Sequence, residues 1–249
     1  MNRILKSVYV LLFCLGAGEI LPAMVYAGIE NRPLNTSEAA LLESGRFSLA
    51  AGAKYLKAGS EKEYSLVTDW EYGFLNSFEL DLEVPFTSFK PAGTGGNSGL
   101  GDAALWLGYA LGKEGKAAPA VAAAFSWKTA TGSQEKGLGT GENTYQGTVL
   151  ISKTFGKTSV HFNGSYTFAD APVIGYNLAL KQVINDKLTL VAELYDQKDQ
   201  KVPGNNTTDG LIGAIYAVSP SASLDLGAGR GFTAASADLR LTGGITLLW

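Results

Sequence analysis

The sequence predicts an all-β chain, a transmembrane antiparallel up-and-down β-barrel of about twelve strands. Three observations lead there. The first 27 residues have the layout of an export signal: Arg3 and Lys6, the apolar stretch Val8 to Leu15, then Val25-Tyr26-Ala27 as a small-x-small cleavage site. Beyond Ala27 no apolar run approaches the roughly 20 residues of a spanning helix, yet 46% of the chain is hydrophobic and 31 residues are glycine. Apolar residues recur instead at every second position, up to Leu239, Leu241, Gly243, Ile245, Leu247 and Trp249. Lipid satisfies no backbone hydrogen bonds, so an exported chain that is apolar only at period two crosses a bilayer as a closed barrel.

About ten apolar residues followed by Glu19 are too few to span roughly 30 Å of hydrocarbon, which makes 1–27 a signal peptide and Gly28 the expected mature N-terminus. The single cysteine, Cys14, lies inside that signal. Maturation therefore leaves no disulfide, thiolate metal site or cysteine nucleophile. Losing Arg3, Lys6 and Glu19 moves the net charge from -3 to about -4, so nothing is basic enough for nucleic acid to be a partner. Residues 28–44 form a polar N-terminal segment, either periplasmic or a plug. Asn35-x-x-Glu38 reads as a capping box and Gly45 as a stop, which predicts a short helix between them. The barrel proper spans 45–249.

Twelve strands are expected at about 46–56, 62–74, 78–88, 101–111, 119–130, 144–155, 158–168, 173–184, 187–197, 209–219, 221–231 and 237–249. Connections near Leu75-Asn76, Gly156, Asn185-Asp186 and Pro220 are tight. Those at 89–100, 131–143 and 198–208 are long and polar. Short turns on one rim and long loops on the other are the outer-membrane pattern.

Charges sharpen the face assignment, because Lys or Arg facing lipid at mid-bilayer costs about 2–4 kcal/mol. Phe78, Leu80, Leu82, Val84 and Phe86 alternate with Glu79, Asp81 and Glu83. Leu188, Leu190, Ala192 and Leu194 alternate with Lys187, Thr189, Val191 and Glu193. Leu66, Trp70, Tyr72 and Phe74 oppose Asp69 and Glu71, and Val160, Phe162, Tyr166 and Phe168 oppose His161 and Asn163. Lys153 and Arg230 fall on apolar faces, near strand ends where the penalty fades. Leu211 to Val218 is apolar on both faces and leaves its register open. A soluble β-sandwich would also alternate, but aromatics near strand ends (Tyr55, Tyr72, Phe74, Tyr109, Trp127, Trp249) read as interfacial belts. An aromatic last residue is the signature the barrel-insertion machinery reads. The expected partners are thus the outer-membrane bilayer and, through Trp249, that machinery.

No cofactor, metal or catalytic set is predicted. His161, the single histidine, shares a face with Asn163 and Ser165, which makes a hydrolytic serine conceivable; the face is inward, and a hydrogen-bonded lumen residue is the simpler reading. Carboxylates form the main concentration. Pairing Phe74 with Phe78 sets Glu71 opposite Asp81, Asp69 opposite Glu83 and Glu79 beside Gly73. Five acids at about 5 Å spacing then call for cations between them. Arg46 and Lys54 on the first strand are the nearest by sequence; Lys128, Lys181 and Arg240 point inward elsewhere. The candidate lumen lining is Asp69, Glu71, Glu79, Asp81, Glu83, Glu193, Arg46, Lys54, Lys128, Lys181, Arg240 and His161. A salt-bridged ladder stiffening the lumen is one role for it, and a selective polar lining the other.

Two stretches and a glycine-rich strand carry a resemblance. Arg32-Pro33-Leu34-Asn35-Thr36-Ser37-Glu38-Ala39 with Glu43-Ser44-Gly45-Arg46-Phe47, then Ser98-Gly99-Leu100-Gly101-Asp102-Ala103-Ala104-Leu105, and Gly227-Ala228-Gly229-Arg230-Gly231-Phe232, are similar to the entry segment, "G-L-G-D" strand opening and penultimate strand of outer-membrane proteins grouped under the meta-pathway of phenol degradation. The resemblance implies a transporter, in some members for aromatic or other hydrophobic compounds, and brings no catalytic residues. One departure is the first strand, where Phe47 to Ala53 carries small residues in place of alternating Glu and Leu. About eight strands fill their interior and sixteen leave a water channel, so twelve imply a narrow or plugged lumen. The expectation is a narrow outer-membrane channel for passive uptake of small molecules of hydrophobic or aromatic kind, in a Gram-negative cell. The alternative is a structural or adhesion barrel working through its long loops.

Overall fold

The computed structural model describes residues 32–90, 96–202 and 204–249; the expected signal, 1–27, lies outside them. The strands are β1 Phe47–Ala58, β2 Glu61–Phe74, β3 Phe78–Lys90, β4 Asn97–Leu100, β5 Ala104–Gly112, β6 Ala120–Lys128, β7 Thr144–Phe155, β8 Thr158–Phe168, β9 Val173–Val183, β10 Leu188–Asp199, β11 Thr207–Ser219, β12 Ala222–Gly231 and β13 Leu239–Leu248. Each pairs antiparallel with its neighbour, and β1 pairs with both β2 and β13, which closes the sheet. At the seam Phe47 and Trp249 exchange backbone hydrogen bonds of 2.9 and 3.0 Å. The wall is therefore a closed cylinder, and the short β4, which pairs only with β3, lies at its end away from Phe47 and Trp249.

The wall has twelve strand positions, as the sequence predicts, because β4 and β5 are two pieces of one. Both pair with β3, Leu100 opposite Phe86 and Ala104 opposite Glu83. Between them the chain breaks at 101–103, opposite Pro85, which has no N–H to offer the ladder. Gly101 donates to the Pro85 carbonyl (2.9 Å), and Asp102 turns away to hold the 129–143 loop. One Asp102 oxygen accepts Gly132 N–H (3.0 Å), the other Thr140 N–H (2.8 Å) and hydroxyl (2.9 Å). The Gly-Leu-Gly-Asp stretch is thus a strand break and a loop anchor.

The turns at Leu75-Asn76, Gly156, Asn185-Asp186 and Pro220 share the rim that holds Phe47 and Trp249, and the strand ends Lys90 and Asn97, Lys128 and Thr144, and Asp199 and Thr207 lie at the opposite one. The sorting has exceptions: β1 and β2 join through the tight Gly59-Ser60 turn on the long-loop rim, and 113–119 is a longer loop on the short-turn rim. At Leu75 and Asn76 both central residues are left-handed (φ 49 and 59°), the geometry that matches hairpin twist.

The outward face is apolar all round. Leu66, Leu80, Leu82, Phe86, Leu107, Val149, Leu178, Leu190, Leu194, Leu226 and Leu241 are all exposed large hydrophobics. Aromatics ring both ends of this band. Phe47–Trp249, Phe74–Phe78 and Phe78–Tyr109 lie 4.9, 5.4 and 4.7 Å apart at the short-turn rim, and Tyr55–Tyr64 and Tyr166–Phe168 lie 4.9 and 4.7 Å apart at the other. Lys153 avoids lipid by bonding Glu114 (3.0 Å) and the Gly115 carbonyl (2.6 Å) at the short-turn rim. The open register of β11 resolves with Leu211 and Ile215 inward and Ile212, Tyr216 and Val218 outward. Leu34, Ala179 and Val191 pack against the inward pair.

Candidate functional site

Residues 32–45 lie inside the barrel and make no helix. The expected capping box fails because both of its side chains have wall partners: Asn35 Nδ2 donates to Glu193 (2.8 Å), and Glu38 pairs with Lys181. What the segment does instead is circle the inner wall, meeting the strands in reverse order. Arg32 donates to both Asp225 oxygens on β12 (3.2 and 3.3 Å) and to Thr242 on β13 (3.0 Å). Pro33 lies over Gly213 and Gly227, on β11 and β12. Leu34 enters the β9–β11 cluster, and Asn35 and Thr36 bind Glu193 on β10. Ser37 exchanges two hydrogen bonds with the Asn163 amide on β8 (2.7 and 2.8 Å), and Ala39 N–H donates to Ser152 on β7 (2.9 Å). Ala39 also packs with Ala120, Ala122, Ala124 and Leu150, with Leu41 and Trp106 alongside. Leu42 N–H donates to Glu79 on β3, and Gly45 N–H to the Gly73 carbonyl on β2 (2.8 Å).

The dimensions suit a collar. Twelve strands spaced about 4.8 Å and tilted about 40° enclose a backbone radius of about 12 Å. The stretch from Arg32 to Glu43 reaches about 40 Å at full extension, the circumference of a circle of about 6 Å radius. The segment therefore fits one turn pressed against the inward side chains and leaves only a narrow bore.

Inward glycines make room for it. A Cβ at Gly73 would lie 2.2 Å from the Glu43 carbonyl oxygen, one at Gly52 2.0 Å from the Arg32 guanidinium carbon, and one at Gly244 2.7 Å from Arg32 Nε. Gly52, one of the small residues of β1, thus has a physical reason: with Gly244 on β13 it forms the seat of Arg32.

The β2–β3 register places Glu71 opposite Asp81, Asp69 opposite Glu83 and Gly73 opposite Glu79, the arrangement expected from the hairpin. Glu71, Glu79 and Asp81 are buried, Asp69 is half-buried and Glu83 is exposed. The salt-bridged ladder does not form: among the described residues no Lys or Arg nitrogen lies within 4.0 Å of these five carboxylates. Arg46 stands exposed at the rim ahead of β1, where its backbone closes the turn with Glu43 and Gly73. Lys54 faces Ser65 and Thr242 in register, beyond the acids, and Lys128 is half-buried at the far end of β6. Lys181 serves Glu38 on the collar, and Arg240 binds the Tyr195 hydroxyl and sits 4.8 Å over its ring. His161 Nδ1 lies 2.9 Å from Ser152 Oγ, the acceptor for Ala39. The histidine face thus holds the collar, and Ser165 lies away over Gly175. Sequence reasoning missed Arg32, Asp225 and Ser152. Asp225 alternates with Leu224 and Leu226, which was enough to turn it inward, but nothing local reveals its partner 193 residues away.

A closed twelve-strand barrel with an apolar girdle, aromatic rims and a charged, collared interior defines a transmembrane barrel of the outer-membrane channel type. The chain belongs to the family described as "Putative MetA-pathway of phenol degradation", whose model matches residues 30–248. Its fold is similar to that of the COG4313 outer membrane channel from Pseudomonas putida F1 (TM-score 0.68, 15% identity, covering 88% of this chain and 100% of that one). It is also similar to the KdgM porin (TM-score 0.58, 12% identity, 80% and 98% covered) and the NanC porin (0.56, 13%, 80% and 98%). No curated protein matches the chain significantly.

Proposed function

We propose that the protein is a narrow channel of the Gram-negative outer membrane for passive uptake of small molecules, hydrophobic or aromatic ones in particular, without catalytic activity. The observation that carries this reading is the collar: a segment bound around the whole inner circumference narrows a bore that twelve strands alone would leave wider. Its inner surroundings are mixed, with apolar clusters around Leu34 and Ala39 beside polar and charged walls, which suits a small solute with an apolar body. Membership of a family described by phenol degradation supports the aromatic class. The lipid bilayer around the apolar girdle, and the insertion machinery at the strand ending in Trp249, are the partners this reading requires.

Purified protein in liposomes tests it. Swelling in small solutes and uptake of a phenol-sized aromatic are expected, both faster when residues 32–44 are deleted. A folded barrel that passes neither ions nor aromatics, with or without the segment, defeats the transport reading and leaves the alternative of a structural or adhesion barrel acting through its loops.

A further inference from the structure

Six buried side-chain polar atoms among the described residues have no hydrogen-bond partner, and four of them lie on one stretch of wall: Thr246 Oγ1 on β13, Ser48 Oγ on β1, Asp69 Oδ1 on β2 and Asp81 Oδ1 on β3. The register gathers them. Ser48 is opposite Glu71, which is opposite Asp81; Ala50 is opposite both Asp69 and Thr246. All share the inward parity, and the two hydroxyls are among the most deeply buried side chains described, Ser48 at 0% and Thr246 at 2% exposure. Leaving such groups bare is costly in a native interior. Much of the other inward charge is engaged, Arg32 with Asp225, Lys181 with Glu38 and Glu193 with the collar, while Lys54 stands beyond the acids opposite Ser65 and Thr242. This wall gathers carboxylate and hydroxyl oxygens with no Lys or Arg nitrogen within 4.0 Å of its acids among the described residues, and oxygens of that kind are the ligands of hard cations.

The layout also has a direction. Glu83 is exposed and Asp69 half-buried on the long-loop side; Asp81 and Glu71 are buried nearer the short-turn rim, next to Glu79, which Leu42 of the collar already occupies. Among the described residues no three carboxylate or histidine groups converge into a ready-made metal cage. The occupant the wall fits is a monovalent cation in transit, still partly hydrated.

We propose that this wall is a transient cation site in the conduction path, and that the bore is consequently cation-selective. Cations pass Glu83 and Asp69, are held by Asp81, Glu71, Ser48 and Thr246, and leave past the Leu42–Glu43 end of the collar. The inference rests on the channel reading and adds the class of ion the bore favours.

The zero-current potential of single channels in a planar bilayer under a potassium chloride gradient tests it. Potassium should be preferred over chloride by about fivefold, and the preference should fall to about parity in the Asp69→Asn/Asp81→Asn double variant with conductance retained. The exposed Glu83→Gln variant, which disturbs no buried contact, should lower the preference by about half. Electrophoretic heat-modifiability checks folding. Wild-type channels that conduct with no preference or favour chloride, or a preference unchanged in both variants, overturn the inference while the channel reading stands. Folded wild-type barrels that never conduct overturn the channel reading and this inference with it.

Discussion

Replacing Glu193 with alanine removes the largest single anchor of the collar. Its carboxylate, 3% exposed, accepts Asn35 N–H on both oxygens (2.9 and 3.1 Å), Asn35 Nδ2 (2.8 Å) and the Thr36 hydroxyl. Three donors to a buried charge, at the low end of about 1.5 kcal/mol each, make a loss of about 4.5 kcal/mol. That loss is local, because Arg32 keeps Asp225, Ser37 keeps Asn163 and Leu42 keeps Glu79. At about 1.4 kcal/mol per tenfold, the open fraction of the segment rises by about a thousandfold. The mature sequence expected here contains no cysteine, so a cysteine placed at Leu34, a position 7% exposed and next to Asn35, is a unique reporter. Thiol labelling in liposomes should accelerate by two to three orders of magnitude in Glu193→Ala against the same reporter in the parent, with barrel melting nearly unchanged. Comparing the two rates cancels any effect of the reporter. Equal rates would mean that Glu193 does not hold the segment and would refute the collar as described.

Three further perturbations follow from the same geometry. Gly73→Ala drives a Cβ against backbone, 2.2 Å from the Glu43 and 2.4 Å from the Leu42 carbonyl oxygen; the collar must lift at the rim at a cost of about 2 kcal/mol, seen as longer open bursts in bilayer recordings. Asp102→Ala removes the acceptor of Gly132 and Thr140, so hydrogen exchange at those two amides should quicken by about tenfold or more while the strand amides keep their protection. Leu226→Arg puts a charge on the lipid face at a residue 71% exposed, and should reduce folding stability in bilayers by about 2–4 kcal/mol, measured by denaturant titration. A neutral outcome for Leu226→Arg would place that face away from lipid.

The wall was legible because period two is a local property. Glu79, Asp81 and Glu83 against Leu80, Leu82 and Phe86 fix a face within eight residues, and the Leu75-Asn76 turn then fixes the acid register on β2. The interior was legible only as parity. Which cation meets which acid depends on residues far apart in sequence, and the sequence reading had no way to see that Lys181 would be taken by Glu38 or that Arg46 would stay at the rim. The helix expected near Asn35 failed for the same reason, since a capping box is a local preference of about 1 kcal/mol and Glu193 offers those donors a buried charge. Glycine was read as turn chemistry, but Gly52, Gly73 and Gly244 are spaces cut to fit a segment that parity cannot place.

The reverse-order winding of the first described residues constrains assembly. Arg32 finds its partners on β12 and β13, the last strands to be made, and Leu34 on β9 to β11. These residues, made before every strand, therefore have nowhere to settle until the final hairpin is paired, and must wait at the short-turn rim or be enclosed as the cylinder shuts. Once seated, it ties nearly every stave to a single inner hoop, so a late event in biogenesis sets the roundness of the whole vessel.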